Sequence, residues 1–287
     1  MNTNGFNVIK DKKYPNERAL YAASNLRLVN CVFDGTEDGE SALKEAQNVA
    51  AENCLFNLRY PLWHDTGVML SNVTLTENCR AALWYSRDVE VERSSLLGIK
   101  ALRECRNVAI ADSEIVSPEF GWRSDGVTVA GGRVTSEYLF LNASDVTMCN
   151  VDFKGKYSFQ YTKNVTVENC VLDTKDAFWH AENVTVCNSV VKGEYLAWYS
   201  HNVTFEHCKI VGTQPLCYCD NLTLIDCELV DTDLAFEYST VNATVKGNVL
   251  SVKNPRGGRI VADSIGEVIL TADSKYPCDC QIIQLNK

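Results

Sequence analysis

Three observations predict an all-β fold, a single-stranded parallel β-helix. A nine-residue phrase, Asn164-Val165-Thr166-Val167-Glu168-Asn169-Cys170-Val171-Leu172, returns with small changes at Asn183, Asn202 and Asn221, nineteen residues apart each time. Within it, apolar residues alternate as in a strand with one buried face. Asn or Asp stands at both ends of that strand, where these side chains bond their own main chain and tolerate left-handed backbone. A unit this short cannot bury its own apolar face, so successive copies must stack.

Extended outward, the register starts repeats at 25, 48, 72, 88, 107, 126, 145, 164, 183, 202, 221 and 242. The first strand is marked by apolar positions 2 and 4, such as Val108 and Ile110 or Leu222 and Leu224. Position 6 is often Asn or Asp and makes the next bend. Position 7 is small, and takes in Cys31, Cys54, Cys79, Cys170, Cys208 and Cys227; position 9 is large and apolar, as in Phe33 and Leu172. A second short strand follows the bend. A third is read from Ala42-Leu43, Ala82-Leu83 and Ala101-Leu102, with position 15 apolar, position 18 small, and positions 16 and 17 pointing out.

Three strands and three bends make one coil. Twelve coils about 4.8 Å apart give a body on the order of 55 Å long. The expected organisation is one domain over 1–287: a cap at 1–18, repeat coils over 19–250, and an irregular last coil and cap over 251–287, where Pro255-Arg256-Gly257-Gly258 breaks the pattern. Caps are needed because open coil ends expose unpaired strand edges. Two longer loops are expected, the acidic 34–40 and the stretch 65–71 after Trp63-His64.

Composition narrows the function classes. A net charge of -10, with no Lys/Arg cluster, argues against a nucleic-acid partner. No apolar run of about 18 residues is present, which argues against a membrane span. The start, Met1-Asn2-Thr3-Asn4-Gly5-Phe6, lacks a basic segment followed by an apolar one, so a cytoplasmic location and free thiols are expected for the thirteen cysteines. Cys217-Tyr218-Cys219 and Cys278-Asp279-Cys280 lack the wider spacing of structural zinc sites, so no metal and no cofactor are expected. The Asn-x-Thr triplets follow from the repeat itself.

The recurring Asn-Val-Thr-Val-x-Asn-Cys and Ala-Leu-x-x-small segments resemble the pectin-lyase-like right-handed β-helix superfamily, and more narrowly a bacterial family of about this length whose function is uncharacterised. The resemblance covers nearly the whole chain. It implies right-handed coiling and stacked Asn ladders in the bends; carbohydrate chemistry is implied weakly, since one fold hosts many functions. The Asn-Thr-Asp, Asp-Asp, Gly-His-Gly and Arg-Ile-Lys signature of polygalacturonases is absent, as is the Asp group that holds calcium in pectate lyases. Leucine-rich repeats and left-handed hexapeptide helices fit the spacing less well.

Stacking turns each position into a column. Position 16 holds all five tryptophans, Trp63, Trp84, Trp122, Trp179 and Trp198, together with Lys44, Arg103, Cys217 and Phe236. Position 17 holds Glu45, His64, Tyr85, Glu104, Arg123, His180, Tyr199, Tyr218 and Glu237. Such a strip can stack sugar rings and meet their hydroxyls, which makes an oligosaccharide the expected partner, with Lys44, Glu45, Trp63, Trp84, Tyr85, Trp122, Trp179, His180, Trp198 and Tyr199 as ligand-binding candidates. An enzyme of this kind would be a carbohydrate lyase or a glycoside hydrolase. His64, Arg103, Glu104 and Arg123 supply a base, a carboxylate and cations for either reaction. The competing reading is a scaffold whose aromatic columns cover the core edge and dock a protein partner or a second copy.

Overall fold

In the computed structural model, which describes residues 5–36 and 39–286, parallel strands follow one another with no helix among the described residues. The chain is a right-handed parallel β-helix of about 15 turns with a period of about 19. It divides into two compact units, 1–147 and 148–287.

In the first unit the strands Ser24–Val29, Gln47–Glu52, Thr66–Ser71 and Arg87–Glu92 pair in parallel, and the two-residue strands Val32–Phe33, Leu55–Phe56, Thr74–Leu75 and Ser95–Leu96 form a second wall. In Arg106–Val116 and Asp125–Glu137 the two strands merge into one. The second unit repeats the scheme through Lys163–Glu168, Glu182–Cys187, His201–Glu206, Asp220–Val230 and Thr240–Lys253.

The expected twelve coils fall short because three terminal turns carry no repeat phrase. Asn7–Lys10 pairs with Ser24–Val29 inside the segment expected as a cap. Gly257–Ile269 and Gln281–Gln284 add turns at the other end.

The register also needs two corrections. Val68 pairs with Val49 and with Val89, so the fourth turn begins at Gly67, whose φ of 70° replaces the left-handed Asn. Asn72 lies at the second bend, where it donates to Asn53 at 2.6 Å. Residues 66–71 are therefore a strand and not a loop, and Cys79 leaves the position 7 column, its place taken by Val73. The phrase that begins at Gly67 and the Asn phrase that begins five residues later at Asn72 overlap, which caused the slip. Near the other end Val241 pairs with Leu222, so the last phrase begins at Thr240; before it, Phe236, whose N–H reaches Pro215 O at 3.2 Å, points inward and is fully buried, leaving Glu237 and Tyr238 in the outward columns.

The third side is mostly not β. Leu83–Trp84 and Leu102–Arg103 pair as strands, and Arg103 bridges to Trp122. Elsewhere alternate residues are left-handed, as at Tyr157, Phe159 and Tyr161 with φ of 55°, 58° and 56°. Main-chain groups here still find partners: Phe178 N–H reaches back to Ser158 O at 2.8 Å, and His180 N–H reaches forward to Trp198 O at 3.0 Å. Left-handed backbone costs roughly 1–2 kcal/mol per non-glycine residue. These inter-turn bonds and the buried side chains between them offset that cost.

The core consists of identical positions stacked on one another. Phe33 and Phe56 stack at 4.5 Å and Phe159 and Phe178 at 4.8 Å, while Cys31, Cys54, Cys170, Cys208 and Cys227 fill the tight second corner. Asn221, Asn202, Asn183 and Asn164 form the ladder that the resemblance implies, each side-chain amide donating to the one before at 2.7–3.0 Å. Gly121 stands in the aromatic inward column because a Cβ there would lie 2.2 Å from the ring of Phe140.

Candidate functional site

Every residue of the outward position 17 column in the first unit's site region is left-handed: His64, Tyr85, Glu104 and Arg123 have φ of 64°, 60°, 52° and 52°. That conformation swings each Cβ away from the core, so His64, Tyr85 and Arg123 are exposed and Glu104 half-buried, while the residue after each, Asp65, Ser86, Cys105 and Ser124, is buried.

The neighbouring position 16 column behaves differently. Lys44 Nζ lies 4.5 Å from the Trp63 ring, Trp63 and Trp84 stack at 5.6 Å, and the Arg103 guanidinium lies 5.3 Å from Trp84 and 5.2 Å from Trp122. The rings face one another along the ladder, so their faces are covered by neighbours. Sugar stacking on the faces of Trp63 and Trp84, as the sequence led us to expect, is sterically closed. The Trp122 Nε1 donates to Tyr138 O at 2.7 Å, whereas Trp63 and Trp84 have buried Nε1 atoms without a partner.

Arg103, with a side chain only 15% exposed, is paired with Glu104 at 3.3 Å and Glu119 at 3.8 Å. It is a structural cation held between two indoles and two carboxylates, and of the four residues considered for catalysis it is the one turned away from open space. Arg123 keeps a looser contact with Glu104 at 3.9 Å and has a side chain 61% exposed.

Four of the expected residues do converge. His64, Tyr85, Glu104 and Arg123 line one concavity of about 480 Å³ together with Thr66, Ser86, Arg87 and Arg106. His64 and Tyr85 stack at 4.8 Å, which leaves the imidazole nitrogens and the phenol facing outward at the ring edges. Lys44, Glu45, Trp63, Trp84 and Trp122 lie outside its lining, with Glu45 accepting a hydrogen bond from Tyr21 at 2.5 Å. Of the two loops expected to wall the site, 66–71 is a strand, and 37 and 38 lie outside the described residues.

Sequence reasoning gave three residues of this region no functional role. Arg87 and Arg106 occupy successive rungs at the start of the first strand, directly opposite each other. Asp65 is fully buried behind the basin: Oδ1 accepts from Ala46 N–H at 3.0 Å, its own N–H donates to Ser86 Oγ at 3.1 Å, and Oδ2 has no partner. Burial pushes its carboxyl up to about 8, so it is protonated at neutral pH. The available signal was its column, where Ala46, Ser86, Cys105 and Ser124 are small and buried.

In the second unit, His180 has Tyr161 on one face at 4.9 Å and Tyr199 on the other at 5.1 Å. Trp179 and Trp198 stack at 5.5 Å, and their Nε1 atoms donate to Tyr195 O and Gln214 O. Among the described residues no group of three or more His, Cys, Asp or Glu side chains is placed to hold a metal ion. Among the described residues no helix is long and apolar enough to cross a membrane.

Residues 7–283 match the family described as "Protein of unknown function (DUF3737)". The chain belongs to this family. No curated protein matches the DUF3737 chain. Among solved structures, similar ones include a surface adhesin of Streptococcus pneumoniae, at 12% identity over 85% of this chain and 74% of that one, with a TM-score of 0.40. The A-module of a mannuronan C-5 epimerase of Azotobacter vinelandii is similar at 11% identity over 85% of this chain and 92% of its own, with a TM-score of 0.35. A tailspike, the receptor-binding protein of bacteriophage Det7, is similar at 12% identity over 94% and 74%, with a TM-score of 0.32. These are likenesses between the DUF3737 chain and other β-helix folds.

Proposed function

We propose that the protein binds an oligosaccharide in the basin of its first unit and that, if it acts on the sugar, it does so by elimination. The observation that carries this reading is the convergence of His64, Tyr85, Glu104 and Arg123, from four different turns, on one concavity of about 480 Å³. That volume lies within the usual range for small-ligand sites, roughly 300–1,000 Å³. Recognition there is by polar edges: imidazole, phenol, carboxylate and guanidinium groups meet sugar hydroxyls, in place of the ring stacking that the buried indole faces preclude.

A hydrolase needs two carboxyl groups flanking the bond, and the lining supplies Glu104 alone. Elimination needs a cation and a base, which Arg123 and His64 can provide. We also place the protein in the cytoplasm, a proposal that rests on its thirteen cysteines.

The test is a glycan array followed by calorimetric titration of the strongest hit against the wild type and the variants His64→Ala and Arg123→Ala. Binding weakened about tenfold or more in both supports the reading, taking ~1.4 kcal/mol for each contact. An array with no hit, or affinities unchanged in both variants, overturns it.

For the aromatic ladder of the second unit, the covered faces of His180 favour the scaffold reading. There the rings act on one another and present edges to whatever docks, whether a protein partner or a second copy.

A further inference from the structure

We propose that Arg87 and Arg106 form an anion-binding pair that makes the basin select sugars carrying a negatively charged group. This deepens the oligosaccharide reading and rests on it. Adjacent rungs of a sheet lie about 4.8 Å apart, and like charges placed directly opposite repel. The same column in the second unit avoids this by alternation: Lys163 pairs with Glu182 at 3.0 Å, and His201 faces Asp220 at 3.4 Å. In the first unit it instead reads Thr66, Arg87, Arg106, Asp125. Among the described residues no carboxylate lies within 4.0 Å of either arginine. Asp125, one rung on from Arg106, accepts a hydrogen bond from Ser144 Oγ at 2.7 Å.

Arg87 is also held in place, its Nε donating to Thr66 Oγ1 at 3.0 Å, which leaves the terminal nitrogens of the fork unused at the basin edge. With Arg123 across the opening, three guanidinium groups face a basin whose lining has one carboxylate, in a chain of net charge -10. A bound anion removes the repulsion between the pair and accepts charge-assisted bonds from both forks, a geometry that suits the paired oxygens of a carboxylate or a sulfate.

Calorimetric titration of the full chain with three tetrasaccharides tests this: tetragalacturonate, its neutral methyl ester, and a sulfated neutral tetramer. The variants are Arg87→Gln, Arg106→Gln and the double change, each checked for an unaltered thermal melt. We expect an acidic tetramer to bind about tenfold more tightly than the ester, as one charge-assisted contact implies. The double variant should erase that preference and leave ester binding within about twofold. Preference for the uronate assigns a carboxylate and preference for the sulfated tetramer assigns a sulfate; both support the inference. Equal binding of acidic and neutral tetramers, or a preference that survives in the double variant, overturns it while leaving the oligosaccharide reading intact. Binding of none of the three also overturns it, and the oligosaccharide reading is then decided by the glycan array.

Discussion

The indole of Trp84 lies 5.6 Å from that of Trp63 at an interplanar angle of 16°, so each ring covers a face of the other. With the Arg103 guanidinium 5.3 Å away on the next rung, Trp84 is enclosed along the ladder. Its main contribution is therefore to the first unit's stability. Trp84→Ala should lower unfolding free energy by about 3 kcal/mol, the lower part of the range for truncating a packed aromatic side chain. Urea unfolding checks this, and an unchanged midpoint would show that the stack carries no load.

Val165 is 1% exposed and points into the core of the second unit. Val165→Asp places an ionisable group there without a partner and should cost several kcal/mol, about 3 or more, whereas Val165→Ala should cost about 2 kcal/mol or less. Thermal melting of the two variants side by side separates charge burial from cavity formation. Equal melts for both would contradict the inward register of that strand.

Asp65 makes stability depend on pH. Its carboxyl is raised to about 8 in the folded chain by burial, against about 4 when unfolded. Between those values the folded state holds a proton that the unfolded state has lost, so unfolding free energy falls as pH rises from about 4 to about 8. The stability contributed by the protonated group is complete below about pH 4 and gone above about pH 8. Asp65→Asn cannot ionise and should flatten that slope. Denaturation midpoints for both proteins between pH 5 and 9 check this; parallel curves would refute it.

All thirteen cysteines are free, nine of them buried and four, Cys149, Cys187, Cys278 and Cys280, partly exposed. A thiol reagent applied to the native protein should modify those four first and reach thirteen only on denaturation. Early reaction at Cys105 or Cys219, whose thiols burial pushes up to about 12, would contradict the packing.

Much of the candidate site was legible in the sequence because stacking makes sequence spacing equal to spatial adjacency. His64, Tyr85, Glu104 and Arg123 could be placed in one column, and they share one basin. The sequence places Arg106 one rung from Asp125, which suggests a structural pair; that, among the described residues, neither Arg106 nor Arg87 has a carboxylate partner is visible only in side-chain positions. Asp65 escaped notice because an inserted pair of residues at 76–81 and the overlapping Asn72 phrase made the strand that follows it, Thr66–Ser71, look like a loop.

The sequence by itself determined the architecture: a nineteen-residue step, alternating apolar residues and Asn-marked bends leave parallel coiling as the arrangement that buries every repeat. It also determined which columns of the first two strands point inward, since side chains alternate along a regular strand. Only the tertiary structure decided what the outward columns are free to do. A ring placed on the surface by its register can stack on a ligand or on the ring one turn away, and both choices have the same sequence. The close spacing of the turns favours the neighbour, so Trp63 and Trp84 close on each other, Arg103 closes on them, and the open chemistry is left to the charged rims beside them.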